Sequence, residues 1–459
     1  MRRFVPVLLL ASILLGACSP IVTLLTRVPA VTATPAATST PLPATATALP
    51  PSTPLPNLGV RPDMLQGVEV LVWHGFGGSS ADLFARMAAE FTSSNKWSIK
   101  LMVTASPNLS TLTTEVGSLL GTPDQPDIVA ALPEQILTWQ DNAVDLSPYL
   151  VQPEFGLDAA EIINGVWDQS FINGARYGVP LSRSARFLFY NTSFAHYLGF
   201  DTAPQTSEDF RKQACAANAF WKQDTDLTND GYGGLALDVV SNWQTPYSWL
   251  AAAGGKVFVD GKFHFNTPEN LAALEFFSGL KQAGCAWQPS SISNFEHLAS
   301  RRALFITGSL GDIAGQNQAL SAAASPDKWT LLPFPGEKPA IFTYGPDLAV
   351  LKSSGVRQLA AWLFIRWMLE EKNQVLWSRS TGLLPVTTSA VKTLQADAMT
   401  IPELKAALKL MPQSVPYPQS ADWRRVNKIL ADGFMAYGQG LPLADAFTEL
   451  DATIAELTK

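Results

Sequence analysis

The first part of the chain after residue 66 alternates apolar, strand-like runs with amphipathic, helix-like runs. The strand-like runs are residues 68–73, 99–106 and 127–132, and the helix-like runs are residues 79–95 and 108–122. Consecutive strands joined through a helix lie parallel in one sheet, so the alternation predicts an α/β fold. Ligands of parallel sheets bind beyond the carboxyl ends of the strands. Four residues at such an end are candidate ligand contacts: Trp73, His74, Gly77 and Ser79.

The rest of the chain extends this pattern over a length that one ordinary hydrophobic core does not fill. About 390 residues follow residue 66, which predicts two domains. Residues 175–191 form a long strand-like run, able to cross from one domain to the other. Residues 358–377 are apolar on nearly every face, which predicts one well-buried helix.

The amino terminus has the pattern of a targeting segment. Arg2 and Arg3 precede an apolar run that ends in LGAC, which resembles a bacterial lipobox. Residues 1–17 are therefore predicted to be a lipoprotein signal peptide and Cys18 the lipidated first residue of the mature chain, with an ordinary secretory signal or a short membrane anchor as the alternative. Residues 18–66 are rich in Thr, Pro and Ala, which predicts a disordered tether. The expected location is extracytoplasmic, anchored to the cell membrane by lipid.

Charge and cysteine content narrow the function further. The formal net charge is −7 and no basic run is present, which argues against nucleic acid as a partner. If Cys18 carries lipid, Cys215 and Cys285 remain. In an oxidising compartment two remaining cysteines favour a disulfide, with two unpaired buried thiols as the alternative.

The stretch HGFGGSS, residues 74–80, raises the question of an enzyme. It resembles the oxyanion loop of an α/β-hydrolase, but no Gly-x-Ser-x-Gly elbow occurs and no histidine follows His297. The dinucleotide and P-loop patterns are also incomplete. Residues 224–230 begin no EF-hand pattern, and the four histidines lack metal spacing. We therefore expect no enzymatic activity, no cofactor and no metal.

Aromatic side chains later in the chain are the remaining candidates for a binding site. Trp243, Tyr247 and Trp249 fall within seven residues, Tyr344 precedes a strand, and Trp423 opens a helix. Flat rings cover the apolar faces of a sugar while polar side chains hold its hydroxyl groups. Each ring could equally be a core residue, and Trp249, at the start of an apolar run, is the strongest core candidate. We expect Trp243→Ala and Trp423→Ala to weaken ligand binding and to leave the fold intact.

Six stretches carry a family resemblance in their order and spacing: PDIVAALPEQ, YGVPLSRSARFLFYN, FNTPENLAALEFFSGL, RALFITGS, AAWLFIRWMLEEKNQVLWSRSTGLLPV and PQSADWRRVNKILADGFMAYGQGLPLADAFTELDATI. Over residues 67–459 the chain resembles the extracellular solute-binding proteins of ABC sugar importers, the group that includes maltose-binding protein. The resemblance implies a two-lobed periplasmic-binding-protein-like fold of type II, with a ligand cleft between the lobes. It implies lobe I at 67–182 plus 308–355, and lobe II at 183–307 plus 356–459.

The resemblance also implies roles for particular residues. Positions that match ligand contacts of the family are Glu134, Arg183, Ser184, Tyr247, Gly308, Ser309 and Trp423. Ala131, Leu132 and Leu310 depart from maltose-binding protein, which argues against a maltodextrin but not against a sugar. The implied function is capture of a mono- or oligosaccharide by a monomer, which then delivers it to ABC permease subunits in the membrane.

Two other functions stay open from the sequence alone. One is a binding protein for another solute, such as a peptide, a polyamine, an iron complex or a phosphodiester. The carboxylate cluster that suits a polyamine and the Tyr, His and Asp cluster that suits iron are not visible in the sequence. The other is a lipid-anchored α/β-hydrolase, opposed by the missing elbow and base.

Overall fold

The computed structural model describes residues 58–238, 242–289, 294–397, 399–416, 418–438 and 443–457. Residues Pro54–Lys459 belong to one compact unit. The predicted signal peptide, Cys18 and most of the predicted tether lie outside the described residues. Lipidation and anchoring therefore stay predictions.

A mixed sheet of five strands is the first of two large sheets. In spatial order its strands are Lys100–Ala105, Glu69–His74, Ile128–Ala131, Asp347–Val350 and Val179–Pro180. The first three are parallel and alternate with the helices Gly78–Ser94 and Leu109–Leu119, as the sequence predicts. The buried stripe of Gly78–Ser94 comprises Leu83, Phe84, Met87, Ala88 and Phe91. Residues at this spacing share one helix face, so the helix packs with that face toward the core.

The second sheet is built around the strand Ser184–Asn191. In spatial order its strands are Ala286–Trp287, Gly233–Ala236, Ala303–Ser309, Ser184–Asn191, Ile341–Tyr344 and Ser414–Val415. A further strand, Trp329–Leu332, pairs with the carboxyl-terminal half of Ser184–Asn191. Phe187, Leu188 and Phe189 are fully buried in that central strand. Such an uninterrupted apolar run is typical of a strand that is covered on both faces.

Helices pack on both sheets. The longer helices are Ser207–Trp221, Gln244–Ala252, Pro268–Gln282, Ile313–Ala322, Gly355–Met368, Glu371–Thr381, Thr388–Ala396, Pro402–Leu410, Trp423–Gly438 and Leu443–Leu457. The shorter ones are Pro133–Thr138, Ser147–Leu150, Thr192–Tyr197 and Asn294–Ala299. Two small hairpins pair Phe171–Ile172 with Ala175–Arg176 and Phe258–Val259 with Lys262–Phe263. Helices layered on mixed sheets make this an α/β fold.

The assignment of residues to the two sheets corrects the predicted lobe boundaries. Trp329–Leu332 and Ile341–Tyr344, predicted within lobe I, hydrogen-bond to the central strand of the second sheet. The chain returns to the first sheet only at Asp347–Val350. Gly355–Met368, predicted within lobe II, packs on the first sheet. Strand pairing between residues distant in sequence decides membership, and local sequence pattern does not contain that pairing.

Two extended segments carry the chain between the sheets and lie side by side. The amide of Leu181 donates to Pro346 O at 3.2 Å, and Ser184 pairs with Tyr344. Gly345 has φ +156°, and a Cβ there would lie 2.5 Å from Ser182 O. Only glycine allows the segments to approach so closely.

The apolar run at residues 358–377 is two helices rather than one. Gly355–Met368 ends at Leu369, and Glu370, with φ −60° and ψ 142°, begins Glu371–Thr381. The prediction of burial is correct for the first helix, in which Trp362 and Phe364 are fully buried. The break lets a second, shorter helix follow a different direction across the core.

The disulfide predicted between Cys215 and Cys285 is confirmed. It joins the helix Ser207–Trp221 to the residue before strand Ala286–Trp287, across a sequence separation of 70. Closing a loop of this length stabilises the fold by roughly 4 kcal/mol in the chain-entropy description.

Candidate functional site

Strand topology places one end of each sheet beside the segments where the chain crosses between the sheets. The carboxyl end of Glu69–His74 lies at the same edge of the first sheet as Asp347, since His74 and Asp347 both align with the end of Ile128–Ala131. In the second sheet, Ser184 begins the central strand and pairs with Tyr344 at the other crossing segment. One end of each sheet therefore adjoins the crossing segments, and these two ends form the candidate cleft.

The glycine-rich loop after Trp73 is held by packing. A Cβ on Gly75 would lie 2.9 Å from Leu109 N, so glycine lets the loop contact the start of the next helix. The ring of Phe76 packs 5.0 Å from His74 and 5.6 Å from Trp377. The loop is therefore held in place by packing and can form a fixed wall of the cleft.

His74 belongs to the core of this wall, and its role as a ligand contact stays a prediction. The residue is 1% exposed, and its Nδ1 accepts a hydrogen bond of 3.1 Å from the Phe76 amide. Burial lowers its pKa, since the interior disfavours the charged imidazole. A neutral His74 therefore holds the loop in place by accepting this hydrogen bond.

The other candidates in this wall keep exposed surface. Trp73 is half-buried, and Gly77 and Ser79 are exposed. The following helix begins at Gly78 with Gly77 as its N-cap and no side-chain cap. The hydroxyl of Ser79 is therefore not the cap of this helix.

Glu134 combines burial with an unsatisfied oxygen. It is 4% exposed, in the short helix Pro133–Thr138 that follows strand Ile128–Ala131. Within the described part of the chain its Oε2 has no hydrogen-bond partner. Burial raises its pKa to about 7, with a smaller increase from Asp347 and a decrease from its own backbone amide and from Arg424. Such a carboxyl group can donate to a ligand hydroxyl or accept from it near neutral pH.

Arg183 has a structural role in this molecule, and its predicted contact with a ligand stays a prediction. Its Nη2 lies 2.6 Å from Asp347 Oδ1, and both side chains are 0% exposed. The guanidinium also donates to Val166 O at 3.2 Å and to Gly345 O at 3.1 Å. A buried cation needs such partners, and they hold the guanidinium enclosed between the two crossing segments.

Gly308 has a packing role, and its predicted contact with a ligand stays a prediction. A Cβ there would lie 2.5 Å from the ring of Phe189, so glycine makes room for that ring. Ser309 is half-buried, and its hydroxyl donates to Asp312 Oδ2 at 2.8 Å. Ser309 and the half-buried Ser184 remain polar candidates at this edge.

Arg186 lies at the centre of a polar network on the second sheet that the sequence reasoning missed. Its Nη2 lies 2.7 Å from Asp238 Oδ1, and its Nε donates to Thr245 Oγ1 at 2.9 Å. The side chains of Arg186 and Asp238 are 13% and 11% exposed. Alternation along the strand places Arg186 on the same face as the predicted Ser184, and this was the available signal.

The predicted stacking rings form one aromatic cluster. Trp243 lies 5.2 Å from Trp423, and Tyr247 lies 5.5 Å from Trp423. Trp423 is 0% exposed, and Tyr247 is 8% exposed with its hydroxyl donating to Pro416 O at 3.0 Å. Burial raises the pKa of Tyr247.

Only part of that cluster keeps surface for a ligand. Trp243 and Tyr344 are half-buried, and the ring of Tyr344 stacks on Phe342 at 5.7 Å. Both Tyr247 and Trp423 pack against Trp243 from the core, and their direct contact with a ligand stays a prediction. Trp249 is a core residue, as predicted, at 4% exposure.

One further side chain that the sequence reasoning missed spans the cleft. Arg424, in helix Trp423–Gly438, donates from Nη2 to Ser110 Oγ at 2.9 Å. Ser110 lies in helix Leu109–Leu119, which packs on the first sheet. The two helices are thus linked across the cleft through a charged donor.

The described ranges lack two further features. No cluster of three or more His, Cys, Asp or Glu side chains there is placed to hold a metal ion. No helix in those ranges is both long and apolar enough to cross a membrane.

The fold and its cleft define a two-lobed binding protein of the periplasmic-binding-protein class. Residues 86–405 match the family described as bacterial extracellular solute-binding protein. The chain belongs to this family.

Relatives and solved structures agree with that assignment. A putative binding protein of Brucella abortus is 21% identical over 295 residues, 62% of this chain and 69% of the relative. The sugar-binding protein MalE from Xanthomonas citri has a TM-score of 0.72 at 19% identity, over 85% of this chain and 97% of the other. The cyclic alpha-maltosyl-1,6-maltose binding protein from Arthrobacter globiformis has 0.68 at 20% identity, over 84% and 98%. UgpB from Mycobacterium tuberculosis, in complex with glycerophosphocholine, has 0.63 at 21%, over 85% and 98%.

Proposed function

We propose that this protein is the substrate-binding component of an ABC importer and captures a mono- or oligosaccharide in the cleft. The observation that carries the proposal is the pairing of aromatic surface with polar side chains at one edge. The half-buried rings of Trp243 and Tyr344 lie on the same lobe as the network around Arg186 and Asp238. The likeness to sugar-binding proteins supports the fold on which this site is built.

Such a site suits a sugar because a sugar has two kinds of surface. Its C–H faces pack on flat rings, and its hydroxyl groups need hydrogen-bond partners in fixed positions. We assign ring contacts to Trp73, Trp243 and Tyr344. We assign polar contacts to the following residues: Gly77, Ser79, Glu134, Ser184, Arg186 and Ser309.

Two arginines near the crossing segments are already paired with carboxylates. Arg186 is paired with Asp238, and Arg183 is paired with Asp347. A phosphodiester needs a cation that is not already neutralised by a carboxylate. A neutral sugar therefore fits these pairs better than a phosphodiester does.

The proposed mechanism is capture without chemical change. The two lobes close by rotation at the crossing segments, and ligand favours the closed form because only there do both lobes contact it. The closed form then docks on permease subunits whose ATPase partners are separate chains. Lipidation at Cys18 would keep the monomer at the outer face of the membrane beside its permease.

Tryptophan fluorescence of the full chain in detergent micelles tests this function. Titration with a panel of neutral mono- and oligosaccharides should give a saturable change with at least one sugar, and glycerophosphocholine should give none. Mass spectrometry of the recovered sugar should find it unaltered. Turnover of the sugar, or saturable binding of glycerophosphocholine alone, would overturn the proposal.

A matched pair of tryptophan variants tests the placement of the site. Trp243→Ala should weaken binding of the sugar identified in the panel by about tenfold or more, since stacking of a sugar on a ring contributes about 1 kcal/mol or more. Trp97→Ala is the control. Trp97 is also half-buried, but it lies before the amino-terminal end of strand Lys100–Ala105, at the end of the first sheet opposite to the cleft. Equal affinity in the parent and Trp243→Ala would move the site elsewhere.

A further inference from the structure

Arg424 belongs to a well-packed helix of the second lobe and contacts the first lobe. Its neighbour Trp423 is 0% exposed and packs among the rings of the second lobe. On the other side, Ser110 precedes Leu112, which is also 0% exposed. Both ends of the 2.9 Å hydrogen bond are therefore mounted on well-packed helices.

The contact lies at the carboxyl ends of the strands of the first sheet. The residue before Ser110 is held there, because Gln135 Nε2 donates to Leu109 O at 2.9 Å. A second contact between the lobes is Gln169 Nε2 donating to Thr343 O at 2.8 Å. A rotation at the crossing segments that separates these walls breaks the hydrogen bond of Arg424, so this contact distinguishes an open from a closed form.

The charge of the same guanidinium acts on a second group of the first lobe, without a direct contact. Arg424 attracts the carboxyl group of Glu134, while Asp347 repels it. Glu134 is 4% exposed, and within the described residues its Oε2 has no hydrogen-bond partner. One side chain of the second lobe therefore interacts with a hydroxyl and a carboxyl group of the first.

We propose that Arg424 is the closing residue of the cleft: it joins the two lobes through Ser110 and thereby stabilises the closed form. Its effect on the ligand rests on the proposed function, whereas its effect on lobe closure does not require a ligand. It acts as a positioning residue, because it holds the two walls at the distance at which both contact a guest.

Electron–electron distance measurements on the ligand-free full chain test closure directly. Spin labels at Glu90→Cys and Lys212→Cys report the distance between lobes, since both residues are exposed and lie on helices that pack on different sheets. In Arg424→Gln the distribution should shift toward longer distances, with the ratio of open to closed forms raised about threefold to tenfold, the range for one exposed hydrogen bond to a charged group. Arg424→Lys should recover part of the closed population, because it retains one charged donor.

The adjacent arginine provides the matched control. Arg425 is also exposed but pairs with Asp422 of its own lobe. Arg425→Gln should leave the distance distribution unchanged. Ser110→Ala should open the cleft, and Ser110→Ala combined with Arg424→Gln should add less than the sum of the two single changes.

Two outcomes would overturn the proposal. One is a parent-like distance distribution in Arg424→Gln, and the other is equal opening in Arg424→Gln and Arg425→Gln. If a sugar binds the parent, its affinity for Arg424→Gln should fall by the same threefold to tenfold, chiefly through faster dissociation. If no sugar binds, the proposed function fails while the distance measurement still decides the role of Arg424.

Discussion

At the scale of single residues, burial separates functional side chains from structural ones of the same chemical type. Trp243 and Trp423 are both tryptophans of one cluster, yet only Trp243 keeps exposed surface. Arg183 and Arg186 lie three positions apart, yet only Arg183 is fully enclosed. Residue type predicted the chemistry available at these positions, whereas enclosure decided whether a ligand can reach it.

The buried ring of Trp423 leads to a stability prediction that differs from the one made from sequence. Trp423→Ala should lower the free energy of unfolding by about 3–5 kcal/mol, because the lost ring leaves a cavity among Trp243, Tyr247 and Phe263. Urea unfolding followed by circular dichroism measures this loss. Trp243→Ala, the control, should cost less because its ring is half-exposed. Parent-like stability of Trp423→Ala together with weaker sugar binding would restore the original prediction.

Glu134 predicts a pH dependence of stability. Its pKa is raised from 4.5 to about 7, so between those values the folded protein holds a proton that the unfolded chain has released. The contribution of this group to stability is therefore full below pH 4.5 and is lost as the pH rises to 7. Glu134→Gln should remove roughly 3 kcal/mol of that decline, measured as the free energy of unfolding at pH 5 and pH 8. Glu90→Gln, at an exposed position, should keep the parent profile, and a parent-like profile in Glu134→Gln would contradict the assignment.

At the scale of elements, the strands and helices with strong local signals match their predictions. Asp260-Gly261, a pair typical of hairpin turns, joins Phe258–Val259 to Lys262–Phe263, with φ of 50° and 76° at the two turn residues. Helix Pro268–Gln282 begins where its own residues favour it, because Thr267 Oγ1 accepts from Asn270 N and proline suits the first helical position. These features depend on a few neighbouring residues, so the sequence alone predicts them.

The two crossing segments carry an element-scale prediction. Arg183→Met leaves the carboxylate of Asp347 buried without its ion-pair partner and should destabilise the fold by about 3–5 kcal/mol. The double variant Arg183→Met with Asp347→Asn should recover part of this loss. Arg211→Met is the control, since Arg211 and Glu208 form an exposed pair that contributes little to stability. Denaturant unfolding compares all three variants, and a loss in Arg183→Met no larger than the control would contradict a structural role.

At the scale of the whole molecule, strand pairing assigns the chain to two sheets, and the division differs from the lobe boundaries expected from the sequence. Ile341–Tyr344 and Asp347–Val350 are separated by two residues, yet they belong to different sheets. Nothing in the local pattern distinguishes them, because both are short apolar strands. The cleft arises from this division, since it brings Ser184 and Tyr344 to one edge and Asp347 to the other.

The amino-acid sequence by itself determined the α/β class, the turn and helix-start positions, the cysteine pair and the presence of aromatic and polar groups suited to a sugar. These follow from periodicity, composition and contacts between near neighbours. Only the tertiary structure decided the lobe boundaries, the burial of Trp423 and His74, the Arg183–Asp347 pair and the bridge from Arg424 to Ser110. Each of these depends on contacts between residues far apart in the chain, whose free energies are set by packing and desolvation rather than by local conformational preference.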